Sequence, residues 1–137
     1  MNLAGGTPLT EIRGVTQDSP APQSVRFPCG NHVTIPPRGV RGSGWTGVLR
    51  AIATWLVDNE RLTLEIARLQ HPRVPLYVTS NTPQQYRPRR SDNRYFEEIN
   101  NSGVYFYKSW EAQDAVDGAV ELVRYCEENP CEILVNY

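Results

Sequence analysis

Between residues 84 and 95 the chain reads Gln-Gln-Tyr-Arg-Pro-Arg-Arg-Ser-Asp-Asn-Arg-Tyr, with four arginines, amide side chains and flanking tyrosines in twelve residues. Guanidinium forks bind phosphate bidentately, amides read base edges, and tyrosine rings stack on bases. Tyr86, Arg87, Arg89, Arg90, Arg94 and Tyr95 are therefore candidate nucleic-acid contacts. A second loop carries Arg38 and Arg41 among prolines and glycines, residues that let backbone come close to a ligand. With Arg50 these extend the same basic surface. The competing reading is a solvated loop whose arginines pair with the acidic C-terminal helix, each exposed pair contributing only ~0–1 kcal/mol.

Three other sets of residues carry chemistry. Cys29 and His32 form one close pair and Cys126 and Cys131 another, and four such donors suit a tetrahedral zinc ion. The spacing is not a standard one, and Cys126 falls on the apolar stripe of a helix, where a free cysteine behaves as a small hydrophobe. No cofactor or metal is therefore expected. His32 and His71 are the only histidines, and neither lies in a nucleophile or metal motif. Asp92, Glu97 and Glu98 are the only loose candidates for a nuclease-type carboxylate cluster. No phosphate-cradling glycine loop is present. Finally, Glu111, Asp114, Asp117, Glu121, Glu127 and Glu128 make an acidic helix face, read either as solvated or as a dock for a basic partner.

The elements that position these residues follow from periodicity. Ser24–Phe27 and His32–Ile35 alternate around a Gly30-Asn31 turn signal and predict a hairpin. Trp45, Val48, Leu49, Ile52, Trp55 and Leu56 share one face of a helix from Trp45 to about Asp58, with Ser43 at its N-cap. Leu62–Leu69 predicts a short second helix capped by Thr63. Val74–Thr79 and Gly103–Tyr107 predict strands, with residues 82–94 a polar loop between them. Ser109 is positioned to cap a last helix buried through Ala112, Ala115, Val116, Ala119, Val120, Val123 and Cys126. Asn129-Pro130 stops that helix, and Cys131–Tyr137 predicts a final strand. The order β-β-α-(α)-β-β-α-β defines an α+β fold, a small mixed sheet with two main helices packed on one face.

The chain has 137 residues, 39% of them apolar and 21% charged, enough for one globular core without disulfide stapling. Residues 1–24, rich in Gly, Pro, Ser and Thr, read as a flexible N-terminal tail, and residues 25–137 as a single domain. No apolar run reaches the ~18–20 residues of a membrane span, and no signal peptide is visible. An odd count of three cysteines fits a reducing compartment, so a cytoplasmic location is expected. The net charge of −1 hides a strong polarity. Residues 26–94 carry eleven arginines against Asp58, Glu60, Glu65 and Asp92, a net of +7. Residues 95–137 carry Lys108 and Arg124 against nine carboxylates, a net of −7.

One resemblance bears on function. The run from Trp45 to Val57, then Leu62-Thr63, then Asn101-Ser102-Gly103-Val104-Tyr105-Phe106, then the alanine-rich helix ending near Cys126 resembles small accessory domains of bacterial restriction- and defence-type nucleases. The resemblance covers about residues 25–137 and implies a non-catalytic module that recognises nucleic acid or a partner. It rests on core-forming positions and transfers no functional residue. Gly103-Val104-Tyr105 is similar to the opening of a GIY-YIG nuclease, but the second half of that signature is absent. The expectation is thus a non-enzymatic nucleic-acid-binding accessory module of a bacterial or phage defence system. The alternative is a protein-interaction subunit, docking on a partner protein or a second copy through its Arg-rich loop and acidic helix, with no membrane partner.

Overall fold

The computed structural model describes residues 6–16, 18–37, 43–68, 76–78, 96–99, 102–107 and 111–137. In chain order the strands and helices are β1 (Thr7–Pro8), β2 (Ser24–Arg26), β3 (His32–Thr34), α1 (Gly44–Asp58), α2 (Leu64–Arg68), β4 (Leu76–Val78), β5 (Phe96–Glu98), β6 (Val104–Tyr107), α3 (Ala112–Tyr125) and β7 (Leu134–Asn136). The fold is α+β. Its strands pair antiparallel in two sheets, a four-stranded one ordered β1-β7-β2-β3 and a three-stranded one ordered β4-β6-β5.

Helix α1 buries the stripe expected of it: Trp45, Val48, Leu49, Ile52 and Leu56 are inside, and Trp55 is partly so. Helix α3 buries Ala115, Val116, Ala119, Val120, Leu122 and Val123. The two helices pack on each other, and small residues at Ala53, Gly118 and Ala119 keep side-chain bulk low in the buried layer. Both then stand against one face of the four-stranded sheet, where Val25 and Val135 lie opposite each other and are fully buried.

The expected flexible tail is overturned for its described part. Thr7 and Pro8 pair with Val135 and Leu134, and the Leu9 N–H donates to the Ile133 carbonyl at 2.8 Å. Leu9, Ile12 and Val15 are buried. Gln113 of α3 clamps the segment with its amide: Nε2 donates to the Ile12 carbonyl at 3.1 Å, and Oε1 accepts from the Val15 N–H at 3.2 Å. Three apolar residues and satisfied backbone groups offset the entropy that Gly, Pro and Thr would otherwise keep. The last helix also starts differently, with Glu111 and not Ser109 at the N-cap. The final strand is shortened by a 3-10 turn at Pro130–Glu132, and β5 is a strand that periodicity does not reveal.

The helix ends are well defined. After α1, Glu60 N–H donates to Val57 and Arg61 N–H to Leu56; after α3, Glu127 N–H donates to Arg124 and Glu128 N–H to Val123. Both are Schellman closures with a left-handed residue, Glu60 at φ 60° and Glu127 at φ 62°. The two closures meet through an exposed Arg61–Glu128 ion pair at 2.9 Å. At the head of α2, Thr63 Oγ1 accepts from the Ile66 N–H at 3.3 Å, the cap expected from the sequence.

Two measurements check this account. In urea unfolding, Leu9→Ala is expected to cost about 2–5 kcal/mol, as for a buried leucine, where a flexible tail would give no change. Glu60→Gly is expected to stabilise by about 1 kcal/mol, because glycine adopts the left-handed conformation without the Cβ penalty.

Candidate functional site

The hairpin of β2 and β3 turns through Pro28-Cys29-Gly30, with Gly30 at φ 90° and the Phe27 N–H donating to the Asn31 carbonyl at 2.8 Å. A three-residue loop ending in a left-handed glycine fixes the register. Val25 faces Val33, and Arg26 faces His32. Phe27 and Ile35 continue the inward face and are buried, but all three residues of β3 are exposed. Val33, on the inward face, is 41% exposed, one of two large hydrophobics left open among the described residues.

The reason is a groove between β3 and α1. It has a volume of about 540 Å³, with Phe27, Val33 and Ile35 on one wall and Gly47, Ala51 and Trp55 on the other. Arg50 and Asp58 lie along the helix side, and Asn31 and Asn59 also line it. Gly47, Ala51, Thr54 and Asp58 recur at helical spacing, so this is a second stripe of α1, turned away from α3 and lacking bulk. Trp55 holds the floor by stacking on Phe27, with centroids 4.7 Å apart and planes 8° from parallel. Among the described residues its buried indole N–H meets no hydrogen-bond partner.

The strand itself offers backbone. The bonds from Phe27 N–H to Asn31 and from Ile35 N–H to Gln23 place residues 31, 33 and 35 in the pairs that hydrogen-bond across the hairpin. Antiparallel alternation then aims the N–H and C=O of His32 and Thr34 away from β2. No partner meets them among the described residues, where β3 is the sheet's edge.

The sequence-derived site residues Arg38, Arg41, Tyr86, Arg87, Arg89, Arg90, Arg94 and Tyr95 all lie outside the described residues, as do His71 and Asp92. Arg50 is described and exposed beside the groove. The cysteine–histidine quartet is not assembled. Cys29 and Cys131 are exposed and Cys126 is buried, and among the described residues no three of His, Cys, Asp and Glu are placed to hold a metal ion. Glu98 serves its own turn, accepting from the Gly103 N–H at 3.0 Å. On the acidic face, Asp117 accepts from Gln113 at 2.9 Å and Glu128 meets Arg61, while Glu111, Asp114 and Glu127 are exposed. A smaller polar cleft of about 290 Å³ lies between Thr10, Arg13, Asp117, Glu121 and Arg124. No helix among the described residues is long and apolar enough to cross a membrane. No family model, curated protein or solved structure matches this chain.

Burial, and secondarily the Glu128 carboxylate, push the Cys126 thiol from an ordinary 9.0 up to about 12. The folded protein therefore holds this proton where the unfolded chain releases it. The stability tied to the thiol is complete below pH 9.0 and is lost as pH rises toward about 12. Thermal unfolding scanned from about pH 8 to about 10.5 should show a steeper loss for the native protein than for Cys126→Ala. A thiol-specific disulfide reagent should modify Cys29 and Cys131 in the native state and Cys126 only after unfolding.

Proposed function

We propose that this chain is a protein-binding module whose docking face is the groove between β3 and α1. The observation that carries the proposal is the pairing of an exposed apolar residue, Val33, with an open cleft and a strand edge unpaired among the described residues, all at one place. Monomeric surfaces rarely combine these features, because a bare edge beside apolar surface invites association. The cleft has the size and mixed lining of a binding site, with Arg50, Asp58, Asn31 and Asn59 supplying orientation around an apolar floor.

A second reading, nucleic-acid binding, is favoured by charge. Residues 19–57, which build the hairpin and all of α1 except its last residue, Asp58, contain four arginines and no Asp or Glu. The Arg-rich stretch 87–94 would extend that surface, with Tyr86 and Tyr95 as stacking platforms.

One comparison separates the two. Crosslinked partners of the native chain are identified alongside those of Val33→Glu. The protein-binding reading expects the variant to remain folded and to lose the same specific proteins. Retention of all of them overturns that reading. Binding of a single-stranded or duplex oligonucleotide that weakens steeply between about 50 and 200 mM salt, unaffected by Val33→Glu, favours the nucleic-acid reading instead.

A further inference from the structure

We infer that the three-stranded sheet stacks the unpaired bases of a single-stranded nucleic acid on one of its faces, the face that carries Tyr77, Phe96, Tyr105 and Tyr107. The stacking face leaves the groove aside, rests on the nucleic-acid reading above and gives that reading a surface of its own.

The face follows from register. In the central strand β6, Tyr105 lies between Tyr77 of β4 and Glu98 of β5, and Tyr107 lies opposite Phe96. The period of two puts these five positions on one face, and Leu76, Val78, Val104, Phe106 and Glu97 on the other. Burial tells the two faces apart. Val104 is fully buried, and with Ile99 it joins the core that also holds Leu62 and Ala67. Glu98 is exposed, and Tyr105 keeps part of its surface accessible. The face of Tyr105 is therefore the one turned away from the core.

An antiparallel sheet with one face in the core normally carries polar residues on the other. Here four of the five positions are aromatic, in a chain that is 9% aromatic. Strand propensity favours aromatic residues on either face, yet the core face holds one alone, Phe106. Positions so placed have Cβ atoms about 5 Å apart across the sheet and about 7 Å apart along it. Sheet platforms of this kind stack two or three bases. Stacking accepts any base, because every base has a π-face, and it needs a single strand, because a duplex hides those faces.

Charge selects the ligand. The first residues of β4 and β5 and the last of β6 lie at the same end of the sheet, since Leu76 pairs with Phe106 and Phe96 with Tyr107. The three residues flanking each strand at that end, 73–75, 93–95 and 108–110, include Arg73, Arg94 and Lys108 and no Asp or Glu. These cations lie outside the described residues, but the chain ties their α-carbons to within about 11, 8 and 4 Å of the strand ends. The flanks at the opposite end, 79–81 and 99–103, hold no charged residue. Glu98 stands in the row farther from the basic end, so the one carboxylate of this face is set back from where phosphate would run. Bases over the rings and phosphates at the basic end match a nucleic-acid strand. An apolar protein surface would gain nothing from those cations.

The test is fluorescence anisotropy on the full-length chain at about 50 mM salt, with labelled ten-nucleotide oligo-dT, the same strand in duplex with oligo-dA, and an abasic strand of equal length. Oligo-dT is expected to bind, and the duplex and the abasic strand at least tenfold less tightly. Tyr105→Leu keeps apolar bulk and removes the ring. It should melt cooperatively and bind oligo-dT about five- to a hundredfold more weakly, the loss of one stacked base, while Tyr105→Phe should bind as the native chain does. If Tyr105→Leu does not fold, Tyr77→Leu on the outer strand carries the same expectation. Lys108→Gln should leave stacking intact and reduce the log–log salt slope by roughly 0.7, one phosphate contact. If oligo-dT binds but the ring variants bind it equally well, or the abasic strand binds as tightly, the stacking face is wrong and nucleic-acid binding by charge alone stands. Loss of oligo-dT binding in Val33→Glu with the ring variants unaffected assigns the strand to the groove instead. If no oligonucleotide binds, the stacking face and the nucleic-acid reading fall together, and protein docking in the groove is untouched.

Discussion

A single row of side chains crosses the four-stranded sheet: Thr7 on β1, Val135 on β7, Val25 on β2 and Val33 on β3. The middle two are sealed under the helices and the last is not. Hydrophobic burial of Val135 and Val25 against α1 and α3 fixes where the helices sit, because apolar area removed from water is the largest favourable contribution available to a domain of this size. With α1 committed to Val25 and Phe27, the sheet extends one strand beyond the helix layer. The groove is the result. It reflects a mismatch in width between two layers, lined on the helix side by Gly47, Ala51 and Thr54, none large enough to close it.

The same packing distributes charge. α3 lies toward the first residues of the fold, where Gln113 holds Ile12 and Val15, and it carries the exposed carboxylates Glu111, Asp114 and Asp117. The hairpin and α1, in which Asp58 at the helix end is the only acidic residue, lie toward the other edge. Just past the C-terminal ends of the two helices an ion pair joins Arg61, which is exposed, to the half-buried Glu128. Such a pair is worth at most ~1 kcal/mol, so apolar contact holds the helices together.

Much of this fold is legible in the sequence, and the parts that are not have a common cause. Helices α1 and α3 announce themselves by stripes such as Trp45-Val48-Leu49-Ile52, and the hairpin by alternation around a glycine turn, because these signals are local. The ordered start is invisible because Leu9, Ile12 and Val15 are scattered among turn-forming residues and find their partners near residue 133 and on α3. Thr7 and Pro8 have no strand character of their own; β7 confers it. Val33 misleads in the opposite sense. Its alternation marks it as inward-facing, which it is, but whether a helix covers it depends on the width of the layer above. A groove between residues 33 and 55 belongs to no periodic pattern. The basic loops drew notice as composition, and residue type alone does not fix where a loop stands.

The position of β7 has a consequence for how the molecule is made. The last strand lies inside the sheet, between β1 and β2. During synthesis, Val25 and the buried faces of α1 and α3 emerge from the ribosome well before Val135 does. Until residues 134–136 are free, β1 has no neighbour and β2 has only β3, so the nascent chain carries a half-built sheet. Contacts that close a loop of more than a hundred residues form late, and chains that depend on them expose apolar surface while they wait. A molecule wired this way completes its interior only once residues 134–136 are free to pair, and the interval before that is the one in which it most needs protection from its neighbours.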